Sequence, residues 1–215
     1  RVFADMDFNN TVWFIGFSGE EQGLLGSDDF AQRCRNRNDS IKGVLNFDMI
    51  SYGRQNRDSF EVIGKPSNPN CAWLMDYYIA QADTFSALKP IRIMDASQEY
   101  SDHASFWARN YVAFCGIEDD FTPKYHTLGD TIGPLYYVNC GTNNWPMATE
   151  ATKATVASIA KLAGAHPRTG IEEGRPALPA RILRVLPSVG RAPVTVELSA
   201  PLGPAARVGI FDPAG

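Results

Sequence analysis

Three short runs of this chain are apolar nearly throughout, and each ends in acidic residues. Thr11–Phe17 leads into Ser18-Gly19-Glu20-Glu21, Lys42–Met49 carries Asp48 near its end, and Val112–Ile117 leads into Glu118-Asp119-Asp120. An apolar run of this length without polar alternation is the pattern of a strand covered on both faces. Between and after these runs lie segments with helical spacing, Gly23–Arg35, Ala72–Ala82 and Thr142–Ala163, and Phe60–Ile63 reads as a further short strand. Strands alternating with helices predict a three-layer α/β domain built on a largely parallel sheet.

The pattern changes near residue 165. From Ala165 to Gly215 the chain holds eight of its fourteen prolines, no lysine and one aromatic residue, Phe211. Val194, Val196 and Leu198 alternate with Thr195, Glu197 and Ser199, and Arg207–Phe211 follows across a Pro/Gly turn. Period-two alternation between turn residues is the mark of a β-sandwich hairpin. Residues 1–164 are therefore read as the α/β domain, 165–179 as a linker and 180–215 as part of a β-sandwich module.

The net charge of −4 gives no reason to expect nucleic acid as a partner. No apolar run approaches the ~20 residues that span a bilayer. None of Cys34, Cys71, Cys115 and Cys140 stands in a C-x-x-C pair, which argues against a thiolate zinc cluster. Two disulfides in an oxidising compartment and buried free thiols both remain open.

In open α/β sheets, ligands bind outside the carboxyl ends of the strands. Here those exits deliver Glu20, Glu21, Asp48 and Glu118, with His126 a few residues beyond. Taken alone, Glu20-Glu21 is an ordinary acidic helix start that offsets the macrodipole. Asp48 is harder to explain, because a carboxylate in an apolar run is costly unless it is paired or binds a cation. His103 is expected in the first turn of a helix capped by Ser101 or Asp102. Carboxylates and imidazole without thiolates suit zinc, with manganese or cobalt as alternatives. Adjacent glutamates can divide the work: one ligates the metal and the other takes a proton from water.

The segments Phe17–Ser27, Asn46–Met49, Ser101–Trp107 and Tyr125–Thr131, in that order and spacing, resemble the M28 family of co-catalytic zinc aminopeptidases, over roughly Arg1 to Gly164. The resemblance implies the phosphorylase/hydrolase-like fold of zinc exopeptidases and a peptide substrate with a free N-terminus. By it, Glu20 is the general base, Glu21 and His126 are ligands of one zinc, and Asp48 is a ligand of a second. Asp102 is placed beside the substrate, with Tyr125 and Glu118 near the site. The family also has a histidine and a bridging aspartate upstream of the first motif. No histidine precedes Glu20 here, so the expectation is an N-terminally truncated piece that is inactive on its own.

The tail resembles the immunoglobulin-like C-terminal modules of secreted bacterial enzymes, which implies a secreted or surface location in a bacterium. Two rivals stand beside the peptidase. One is a glutaminyl cyclase-like acyltransferase on the same scaffold, with one zinc. The other is a metal-free, peptidase-like binding ectodomain.

Overall fold

In the computed structural model, residues 2–53, 59–130, 143, 145–168, 183–185 and 196–198 are described. The chain divides into two compact units, Arg1–Pro167 and Arg168–Gly215. In chain order, the first contains β1 (Met6–Phe8), α1 (Leu25–Asn36), β2 (Val44–Phe47), β3 (Ser59–Gly64), α2 (Pro69–Phe85) and β4 (Lys89–Met94). It continues with α3 (His103–Trp107), β5 (Ala113–Glu118), α4 (Trp145–Ala163) and β6 (Ala165–Pro167). The second contains β7 (Leu183–Val185) and β8 (Val196–Leu198), which pair antiparallel. Most of the expected β-sandwich module, the linker beyond residue 168, and Cys140 lie outside the described residues.

The main sheet has the order β2-β5-β3-β4. The pairs β2–β5 and β3–β4 are parallel, whereas β3 and β5 run antiparallel. The sheet is thus mixed, and the carboxyl ends of β2 and β5 share one edge.

Both faces of the sheet are covered, as a continuous apolar run requires. Phe60 and Val62 of β3 and Phe114 of β5 pack against Leu74, Met75 and Tyr78 of α2 and Ala151 and Ala154 of α4. On the other face, Ile63, Ala113 and Cys115 meet Ala31 and Cys34 of α1 and Phe106 and Trp107 of α3. The alternation of Ala113, Phe114 and Cys115 between the two cores is the period of two that a strand imposes. Helices on either side of one sheet make the three layers. Cys34, Cys71 and Cys115 are buried free thiols.

Local chemistry sets the helix starts. Asn68 caps α2 by accepting from the Asn70 amide at 3.1 Å, and Pro69 opens the first turn, where its missing N–H costs nothing. α3 begins at His103 as expected, but neither Ser101 nor Asp102 caps it through a side chain: Asp102 occupies the capping position without such a bond, and the Ser101 carbonyl accepts from the Ala104 amide.

Residues 2–8 form a turn and β1, which pairs antiparallel with β6. One expectation is corrected. Thr11–Phe17 is not a strand. Among the described residues no strand runs beside it, so its backbone has no ladder to join. Trp13 and Phe17 rest against Phe30 of α1, while Phe14 is 73% exposed. Among the described residues, no helix is long and apolar enough to cross a membrane.

Candidate active site

The loop from Ser18 to Gly26 is folded back on itself by four backbone hydrogen bonds. The Gly23 and Leu24 amides donate to the Glu20 carbonyl at 3.0 and 2.9 Å, Leu25 donates to Gly19 at 3.0 Å, and Gly26 donates to Ser18 at 2.9 Å. Gly19 has φ +69°, and a Cβ on Gly26 would lie 2.6 Å from the Ser18 carbonyl oxygen. The two glycines are therefore needed, one for its left-handed backbone and one for close approach. The result presents Glu20 and Glu21 just ahead of α1.

Glu21 meets His126 directly, with Oε1 2.6 Å from Nε2 and both side chains about half exposed. Tyr125 stacks on the His126 ring at 3.7 Å between centroids. Glu20 stands within electrostatic reach of Glu21, Asp48, Asp102 and His126. Its carboxyl is pushed above the ordinary range, first by burial and then by the three neighbouring acids, with His126 opposing them.

Asp48 follows the last residue of β2, and its amide donates to the Gly116 carbonyl of β5 at 3.1 Å, one step beyond the regular ladder. Asp102 lies beside Ser27, and its Oδ1 is buried with no hydrogen-bond partner among the described residues. Burial raises its pKa first, and Asp48 raises it further, against the lowering effect of Ser27. The wall behind is tied by a Ser27–Ser105 hydroxyl pair at 2.8 Å and by Asn46 Nδ2 donating to Ser101 Oγ at 3.0 Å.

Backbone conformation marks the same place. Among the described residues, the non-glycine positions with positive φ are Leu24, Asn38, Met49, Asn110 and His126. Asparagine tolerates that region. The other three follow Glu20-Glu21, follow Asp48, or are His126 itself, the pattern expected where a fold holds strained backbone at a working site.

The donors are of the kind zinc takes, oxygen from carboxylate and nitrogen from imidazole, with no thiolate among them. Among the described residues, no three His, Cys, Asp or Glu side chains converge into a cage for a metal. Glu21 and His126 form a pair and Asp48 stands apart from it. The set thus fits zinc in kind and is partial in number.

Glu118 was legible only as a neighbour of the site, yet it is a deeply buried acid among the described residues, at 3% exposed. Burial pushes its pKa up to about 7, with the Tyr52 and Ser51 amides opposing. The signal that singled out Asp48, an acid closing an apolar run, applies equally to Glu118.

A profile described as peptidase family M28 matches residues 1–148. A protein of Arthroderma benhamiae described as a probable leucine aminopeptidase is 31% identical over 131 residues, covering 59% of this chain and 34% of that protein. A probable zinc metalloprotease of Phaeosphaeria nodorum is 42% identical over 54 residues, covering 25% of this chain and 11% of that one. Among solved structures, the Legionella pneumophila LapA aminopeptidase superposes with a TM-score of 0.54 at 26% identity, over 73% of this chain and 41% of the other. The chain spans about a third of the length of the leucine aminopeptidases it matches.

Proposed function

Because the chain belongs to peptidase family M28, we propose that it forms part of a zinc-dependent aminopeptidase that removes the N-terminal residue of peptides. The observation that carries this reading is the contact between Glu21 and His126, with Glu20 within electrostatic reach of that pair, of Asp48 and of Asp102. On this reading Glu21 and His126 hold one zinc ion and Asp48 contributes to a second. When bound, zinc polarises the scissile carbonyl and makes a bound water acidic enough to ionise near neutrality.

Glu20 does not ligate the metal. Its carboxylate takes the proton from the attacking water and delivers it to the leaving amine nitrogen. Its surroundings suit a general base, since partial burial among other acids makes its carboxylate more basic than that of an exposed glutamate. Asp102 is within electrostatic reach of Glu20, and an acidic side chain there can orient the substrate. The names of the relatives support an aminopeptidase, and the resemblance of the tail to modules of secreted bacterial enzymes supports export.

The test is substitution in the native protein, assayed with an aminoacyl anilide and by metal analysis. Glu20→Gln should lower turnover by roughly 10²–10⁴-fold, the usual contribution of a general base, while zinc content stays the same. Asp48→Asn and His126→Ala should lose zinc together with activity. Near-normal turnover in Glu20→Gln would remove the proposed base.

A further inference from the structure

The loop that follows Asp48 is held from outside itself by one buried side chain. β2 and β5 pair in parallel as far as Phe47 and Gly116. Beyond that point the Asp48 amide still donates to the Gly116 carbonyl at 3.1 Å, and the Glu118 amide donates to the Met49 carbonyl at 2.9 Å. At Met49 the backbone turns left-handed, with φ +50°, a conformation a methionine adopts only when its surroundings impose it. Immediately after the turn, the Ser51 and Tyr52 amides both donate to Glu118 Oε2, at 3.0 and 2.6 Å.

The position of Glu118 is unusual for its chemistry. A carboxylate that is 3% exposed has lost nearly all its water, and the two backbone amides replace part of what was lost. One oxygen that accepts from two successive amides fixes both peptide planes. Anchored at Gly116 and Met49 on one side and at Ser51 and Tyr52 on the other, the turn has little freedom left. Asp48 is the first of these anchored residues and immediately precedes the left-handed turn.

We infer that Glu118 is a positioning residue: its clamp on the Ser51 and Tyr52 amides sets the left-handed turn at Met49 and thereby holds the Asp48 carboxylate beside Glu20 and Asp102. This rests on the proposed role of Asp48 as a zinc ligand. Groups that orient a metal ligand without touching the metal typically change affinity by roughly 10–100-fold when removed.

The experiment measures zinc affinity in the native protein by competition with a chromophoric chelator, for wild type, Glu118→Ala, Glu118→Gln and Asp48→Asn. Glu118→Ala should bind zinc roughly 10–100-fold more weakly. Glu118→Gln keeps an oxygen that can accept both amides and should recover most of that loss, which general destabilisation of the core would not produce. A folded Glu118→Ala with wild-type zinc affinity overturns the inference, as does a Gln variant no better than Ala. In the wild type, amide hydrogen exchange at Ser51 and Tyr52 should be as slow as in β5, and rapid exchange there overturns the clamp even if Glu118→Ala does not fold. If Asp48→Asn itself leaves zinc affinity untouched, the ligand assignment fails, whatever the Glu118 variants do.

Discussion

Thr11–Phe17 and Ala113–Glu118 are sequences of the same kind with opposite fates. Both are apolar, and both lead into acids of the candidate site. β5 is paired on both edges, by β2 and β3, and Ala113, Phe114 and Cys115 are all buried. Thr11–Phe17 has no strand beside it among the described residues, and Trp13, Phe14 and Ile15 are 57%, 73% and 43% exposed. Apolar character expresses a demand for burial, but a strand forms only when neighbours supply both backbone partners and covering layers. The contrast extends to the site: the acid after the buried run is locked into the backbone, whereas the acids after the exposed run sit on a self-folded loop.

The comparison is broken most severely if the interior of the sheet proves tolerant. Phe114 is fully buried between Phe47 and Tyr78, with ring centroids 5.8 and 5.0 Å away. Phe114→Ala removes a large side chain that its neighbours cannot replace, and should cost about 3–5 kcal/mol in urea unfolding. A loss below about 1 kcal/mol would mean that β5 is not the packed centre it looks to be.

A second effect follows from a buried histidine, His103. His103 lies edge-on to Trp107, whose indole N–H donates to the Ala113 carbonyl at the start of β5. Its Nε2–H donates to the Gln98 carbonyl at 2.8 Å, and its Nδ1 is buried without a partner among the described residues. Burial lowers its pKa from 6.5 to about 4, because the charged ring would lose its water. Between those values the unfolded chain binds a proton that the folded chain does not. The stability this group contributes is therefore complete above pH 6.5 and is lost as pH falls toward 4. Between pH 7 and 4.5, wild type should lose about 2–3 kcal/mol more stability than His103→Gln, at roughly 1.4 kcal/mol per pH unit. Equal losses would show that the ring is hydrated.

How much of this was legible follows from what each signal encodes. Helical spacing identified α1, α2 and α4 to within a few residues, and the unbroken apolar run identified β5. β4 was missed because Lys89-Pro90-Ile91-Arg92 mixes charge and proline into a strand that, among the described residues, pairs only with β3. The antiparallel β3–β5 pairing was equally hidden, since an apolar run carries no record of its direction. At the site, Glu20, Glu21, Asp48 and His126 could be selected as acids and imidazole beyond strand ends. The Glu118 clamp could not, because it depends on a left-handed methionine that no residue preference would suggest.

The smallest expected effect is the sharpest test of the contrast. Phe14 lines an apolar groove with Phe3, Phe47 and Ile50, but nearly three quarters of its surface faces solvent. A side chain that gains so little from folding loses little when replaced. On the 215-residue chain, Phe14→Ser should therefore change unfolding free energy by no more than about 0.5 kcal/mol, the usual range for surface substitutions. A loss of about 2 kcal/mol, near the value of a buried phenylalanine side chain, would show that Thr11–Phe17 is covered in solution. The two runs would then differ only in which partner covers them, and the exposed loop carrying Glu20 and Glu21 would gain the same kind of backing that β5 gives to Glu118.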